Sequence, residues 1–168
     1  MLAFATQHRD LLLYLLPSLA LALVIRALAN SSPIFFIFTL AGTICHELSH
    51  FCLGFLTGAR PASFTIVPRR VGDHWELGSV MLTRVRWYNA APSALAPFLI
   101  LLLPLAVAWW RARGAWHFQW LDVILAFALA PQFLSFWPSN GDWRIAWRSW
   151  PCVLAIGMGW ILFQNVRN

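Results

Sequence analysis

Apolar residues run along this chain in long blocks, interrupted by short polar breaks and one long polar stretch. The blocks lie near 11–29, 33–57, 90–110, 119–137 and 145–164. Each approaches the roughly 20 residues that an α-helix needs to cross about 30 Å of hydrocarbon. The polar stretch, 58–89, has a different rhythm. Ala62–Val67 and Leu77–Val85 are rich in apolar and β-branched residues, with Arg69, Arg70, Gly72 and Asp73 between them. That pattern predicts a β-hairpin over 62–85. The expected fold is therefore an all-α polytopic membrane protein, residues 1–168 forming a single domain. It has about five transmembrane helices and a short membrane-associated β-hairpin between the second and third.

Composition strengthens the membrane reading. The chain has 168 residues, of which 60% are hydrophobic and 11% charged. A soluble domain of this size has no use for so much apolar surface. The formal charge of +6 comes from arginine alone, since there is no lysine. Loop arginines set topology and meet anionic headgroups, so no nucleic-acid partner is expected. Trp109, Trp110, Trp116 and Trp120 gather at one break, and Trp137, Trp143, Trp147 and Trp150 at another. Indoles favour the headgroup level, so these read as two aromatic belts. With the N-terminus inside, Arg9, Arg60, Arg69, Arg70, Arg84, Arg86, Arg144 and Arg148 are cytoplasmic. Arg26, Arg111, Arg113 and Arg167 are then outside, the smaller set, which favours that orientation. The first block followed by Ala27-Leu28-Ala29 imitates a signal sequence. Arg26 just before that site favours a retained helix instead. The expected location is a multi-pass protein of a bacterial inner membrane.

One apolar block carries chemistry. His46-Glu47-Leu48-Ser49-His50 is an H-E-x-x-H run within the second predicted span. On a helix, two histidines four residues apart share a face and reach one zinc ion, and the intervening Glu can act as general base for its water. Ionisable groups are costly in lipid and mark functional sites. His50 lies eight residues before Gly58, so about 12 Å along the helix from that end, with His46 about 6 Å deeper.

A catalytic zinc takes three protein ligands and keeps one position open. The remaining acids are Asp10, Asp73, Glu76, Asp122 and Asp142. Asp10 is terminal, Asp73 and Glu76 belong to the hairpin, and Asp122 opens the fourth span on the opposite side. Asp142 sits in Pro138-Ser139-Asn140-Gly141-Asp142-Trp143, a break on the same side as the histidines. It is the expected third ligand, although Ser139, Asn140 and Asp142 are also helix-capping types. His117 is on the wrong side, and His74 is expected to be a solvated loop residue. Cys45, Cys52 and Cys152 form no C-x-x-C pair and read as small buried apolar residues.

At this point the chain resembles the site-2 protease family of intramembrane zinc metalloproteases, in a small form without PDZ or nucleotide-binding domain. His46-Glu47-Leu48-Ser49-His50 matches the family's H-E-x-x-H, with Gly54 and Gly58 downstream. Residues 62–83 resemble its membrane-associated strands. Ala90-Ala91-Pro92 resembles its A-G-P motif, and Pro138 to Arg144 its P-x-x-x-D-G-G-R segment, with Asp142 on the metal-binding Asp. The resemblance covers roughly 33–150. The chain departs from it at Ala91 and Trp143, where the family has Gly, and at Leu95, where it often has Asn. These departures leave Asn140 or Asn89 to supply an amide for substrate or oxyanion. The resemblance implies one zinc ion per chain on His46, His50 and Asp142, with Glu47 as catalytic base. It also implies a substrate that is a transmembrane segment of another membrane protein. A regulatory membrane partner or a homo-oligomer is compatible with it. Two alternatives remain open: a membrane zinc-binding scaffold without proteolysis, and a small ion- or proton-conducting subunit.

Overall fold

The computed structural model describes residues 2–29, 36–67, 69–71, 74–113 and 117–167. Asp73, Trp116 and the start of the second predicted span lie outside them. The chain divides into two compact units, one of residues 1–46 and 97–137, the other of 47–96 and 138–168.

In the first unit, α1 (Leu2–Ala29) packs along α4 (Leu102–Arg111) and α5 (Trp120–Ser135). Its contacts are small apolar clusters: Tyr14 and Leu15 with Ala108, and Ala22 and Ile25 with Ala130. The alanines at these contacts have the small side chains that let helix backbones approach closely. Much of α1 beyond those stripes is apolar and exposed, including Leu12, Leu16 and Leu23. Asp122 is buried at the start of α5. Arg111 donates to both of its oxygens, at 2.7 and 2.9 Å, and Gln119 N donates to Oδ2 at 2.8 Å. A basic residue ending one apolar helix and an acidic residue opening the next thus clamp the turn between them. Both Asp122 oxygens are thus engaged within the first unit, and Asp122 lies outside the candidate metal-ligand group among the described residues.

The second unit begins inside α2 (Phe36–Leu56), a continuous helix that passes through the division between His46 and Glu47. The end of α2 is set by glycine. Gly58 has φ +74°, Ala59 N donates to Gly54 O (2.7 Å), and Gly58 N donates to Phe55 O (3.1 Å). This is the paired-bond termination in which a left-handed residue closes a helix, a conformation glycine adopts without penalty.

The polar stretch then forms an interrupted hairpin. Strands β1 (Pro61–Thr65) and β4 (Ser79–Leu82) pair antiparallel, with Phe64 opposite Val80 and a register shift between Pro61 and Ser63. At the tip, β2 (Arg69–Val71) pairs with β3 (His74–Glu76), so His74, expected in a loop, lies in a strand.

The segment 90–110, expected as one apolar helix, is three pieces: α3 (Ala90–Ala94), a 3-10 segment (Ala96–Leu101) and α4. Pro92, Pro97 and Pro104 supply the reason, since proline withholds an amide hydrogen and clashes with the preceding turn. The last predicted span lies in a helical run without a break: α6 (Asn140–Ala146), a 3-10 turn (Trp147–Ser149) and α7 (Trp150–Arg167).

Among the described residues, two helices are long and apolar enough to cross a membrane, Arg9–Leu28 and Asn140–Gln164. Ala96–Arg111 and Trp120–Ser135 are apolar but shorter. The belt tryptophans Trp109, Trp110, Trp120, Trp137, Trp147 and Trp150 are exposed.

Candidate metal centre

Helix α2 presents two faces, and the site is built from both. Glu47, Phe51 and Gly54 follow each other at helical spacing and meet the hairpin. Phe51 packs edge-to-face on Phe64 of β1, with ring centroids 6.1 Å apart. Gly54 lies against Leu82 of β4, whose Cδ2 is 2.7 Å from where a β-carbon would stand. Glu47 lies beneath Gly78 at the entrance to β4 and is only 8% exposed.

His46, His50 and Thr57 follow the neighbouring face. His50 is buried, and its Nδ1 donates to the Ser93 carbonyl of α3 at 2.7 Å. His46 Nδ1 donates to the Ser135 carbonyl at the end of α5, also at 2.7 Å. A carbonyl can only accept, so each ring carries its hydrogen on Nδ1 and presents Nε2 as the ligand atom.

The third expected ligand joins them. Ser139 caps α6, and the cap is reciprocal: Asp142 N donates to Ser139 Oγ (3.2 Å), and Ser139 N donates to Asp142 Oδ2 (2.7 Å). The other carboxylate oxygen, Oδ1, lies 3.3 Å from His50 Nε2. Capping and ligation therefore do not compete at Asp142, because each uses a different oxygen. Ligand atoms of His46, His50 and Asp142 all lie within 4.8 Å of one another, so the three can hold a metal ion.

The two asparagines considered for substrate contact fare differently. Asn140 is the first residue of α6 and is exposed, one turn from the ligand group but not hydrogen-bonded to it among the described residues. Asn89 is 1% exposed and fully committed to its own neighbourhood. Its Oδ1 accepts from Arg86 N (2.7 Å), and Nδ2 donates to Thr57 O (3.3 Å) and Arg84 O (3.2 Å). Asn89 holds structure and is not available to substrate.

The departures at Ala91, Leu95 and Trp143 share one place. They line an open apolar pocket of about 360 Å³, together with Ala146, Trp150 and Leu154. Its two walls are α3, which anchors His50, and α6, which carries Asp142. The carbonyl anchors of the histidines had no sequence signal, since every residue offers a carbonyl.

Gly78 gives a direct check of how closely the hairpin covers Glu47. A β-carbon there would stand 2.8 Å from Glu47 Cγ and 3.1 Å from Thr65 O. Gly78→Ala is expected to displace either the carboxylate or the strand, an overpacking penalty of about 1–3 kcal/mol. Chemical denaturation in detergent measures it. A variant as stable as the parent would show that strand and carboxylate yield at no cost.

Compared with protein-family models, with curated proteins and with solved structures, the chain matches none of them.

Proposed function

We propose that this protein is an intramembrane zinc metalloprotease that hydrolyses peptide bonds within or near transmembrane segments of other membrane proteins. The observation that carries the reading is the ligand group itself. Two imidazoles are each held by a backbone carbonyl with Nε2 presented, one carboxylate oxygen joins them, and a buried glutamate stands next to the first histidine. The donor chemistry fits zinc. Imidazole nitrogen and carboxylate oxygen are both zinc ligands, and the three ligand atoms lie within 4.8 Å of one another. His50 Nε2 and Asp142 Oδ1 are separated by 3.3 Å, longer than the 2.7–2.9 Å of a tight charge-assisted hydrogen bond.

His46, His50 and Asp142 would hold the zinc ion, which would supply Lewis acidity for acidifying water and polarising the scissile carbonyl. Glu47 accepts the proton of the attacking water and passes it to the leaving amine. The hairpin lies directly over Glu47, and a substrate segment unwound from its helix can add as a strand to an edge of β1 or β4. Asn140, exposed beside Asp142, is the group assigned to the substrate backbone or the oxyanion. The open apolar pocket beside α6 suits the side chains of a membrane segment. Two helices long and apolar enough to cross a membrane support a membrane location. The multi-pass placement in a bacterial inner membrane, with the N-terminus cytoplasmic, is part of the proposal and rests on the apolar blocks and the arginine distribution of the sequence.

The test compares membrane-protein fragments in cells producing either the parent protein or Glu47→Gln. Fragments that depend on Glu47 are expected, and they also identify the substrate. Identical fragment patterns would refute proteolysis; zinc binding retained in that case would leave the scaffold reading.

A further inference from the structure

We infer that Thr57, Ser93 and Asn89 are positioning residues that set the orientation of the His50 imidazole at the metal. This rests on the metal-centre reading and extends it to residues that touch neither metal nor substrate. The carbonyl that holds His50 Nδ1 belongs to Ser93, on the short helix α3. A five-residue helix has little stability of its own. Something else must fix it: Ala91 N donates to Ser149 Oγ at 2.8 Å on one side, and a set of hydrogen bonds ties α3 to the end of α2 on the other.

Thr57 Oγ1 donates to Leu53 O at 2.6 Å, which uses its only hydrogen. In its 2.8 Å contact with Ser93 Oγ, Thr57 is therefore the acceptor and Ser93 the donor. This hydroxyl pair ties α3 to the residue that follows α2, the helix that carries His50. Ser93 is fully buried, at 0% exposed, so no water replaces the bond. Asn89 braces the same junction. It donates to Thr57 O and to Arg84 O, accepts from Arg86 N, and its own carbonyl accepts from Ser93 N at 3.1 Å. A continuous polar path thus runs from the exit of the hairpin, through Asn89 and Thr57, to the carbonyl on His50. Groups that hold a ligand's second nitrogen set its ring orientation and basicity, and their loss typically costs 10–100-fold in metal affinity.

The test uses the full-length protein in detergent micelles. Zinc affinity is measured by competition with a chromophoric chelator, and site geometry by the visible spectrum of the cobalt-substituted protein. Thr57→Val keeps the shape of the side chain and removes the hydroxyl; Thr57→Ser restores it. Thr57→Val is expected to weaken zinc binding by about tenfold or more and to shift the cobalt bands, with Thr57→Ser returning both towards the parent. If Thr57→Val does not fold, Ser93→Ala, which keeps the backbone carbonyl and loses only the hydroxyl, is expected to shift both readouts in the same direction. A folded Thr57→Val, or failing that Ser93→Ala, with parental affinity and spectrum overturns the proposal, whatever its melting temperature. Failure of the metal-centre reading looks different. The parent protein would then bind no zinc, or bind it undiminished by His46→Ala, and the positioning role would fall with it.

Discussion

Glu47→Gln is expected to abolish peptide-bond cleavage while leaving the metal in place. The carboxylate is absent from the ligand group, which consists of His46, His50 and Asp142. Its substitution by an amide of the same size preserves the packing beneath Gly78. What the amide cannot do is accept a proton from water. General-base contributions are typically 10²–10⁴-fold, so the rate constant for a reconstituted transmembrane substrate should fall by at least about 100-fold. Zinc content should remain near that of the parent. The two measurements separate three roles for Glu47. Loss of cleavage with zinc retained identifies a base. Loss of both identifies a ligand or a structural group. Cleavage retained at the parental rate removes Glu47 from the chemistry. A purely structural buried carboxylate would instead tolerate the amide and shift only the melting temperature.

Parts of this site were legible in the sequence because each rests on a local rule. The H-E-L-S-H spacing puts two imidazoles on one helix face whatever surrounds it. Gly58 marks the helix end because glycine accepts the left-handed conformation found there. Ser139 three residues before Asp142 is a capping-box pattern, and the cap forms. Ligation and capping read as competing roles for Asp142 in the sequence, because sequence does not distinguish one carboxylate oxygen from the other.

Other features depend on tertiary placement. The run 90–110 has the hydropathy of a spanning helix, yet its prolines divide it, and hydropathy alone does not register a break. Without that break α3 would not exist as a separate element carrying Ser93 to His50. Asn89 read as a candidate substrate amide because Leu95 stands where the resembled family often has Asn, which left a nearby asparagine to supply the amide. The partners of Asn89's two amide donations come from the end of α2, 32 residues away, and from the exit of the hairpin, 5 residues away. The Arg111–Asp122 pair was likewise hidden, each residue having been assigned to a separate span end.

The second large effect concerns Asp142, whose two oxygens invite separate tests. Ser139→Ala removes the hydroxyl that accepts from Asp142 N and leaves Oδ1 beside His50. It is expected to cost about 1 kcal/mol of stability, as for a lost helix cap, with little change in zinc affinity. Asp142→Asn does the reverse. An amide oxygen can still accept from Ser139 N, so the cap largely survives, but a neutral amide is a poor zinc ligand. Affinity should fall by more than about 100-fold, beyond the 10–100-fold typical of losing a group that merely orients a ligand. Asp142→Ala should show both losses. Zinc titration against a chelator, with thermal denaturation of the metal-free protein alongside, measures the two effects independently. If Asp142→Asn bound zinc as tightly as the parent, Asp142 would be a capping residue only. The histidines' third partner would then have to come from elsewhere. If Ser139→Ala lost as much affinity as Asp142→Asn, the cap would be what aims Oδ1 at the metal. The N-terminal turn of α6 would then be part of the site's geometry as well as its support.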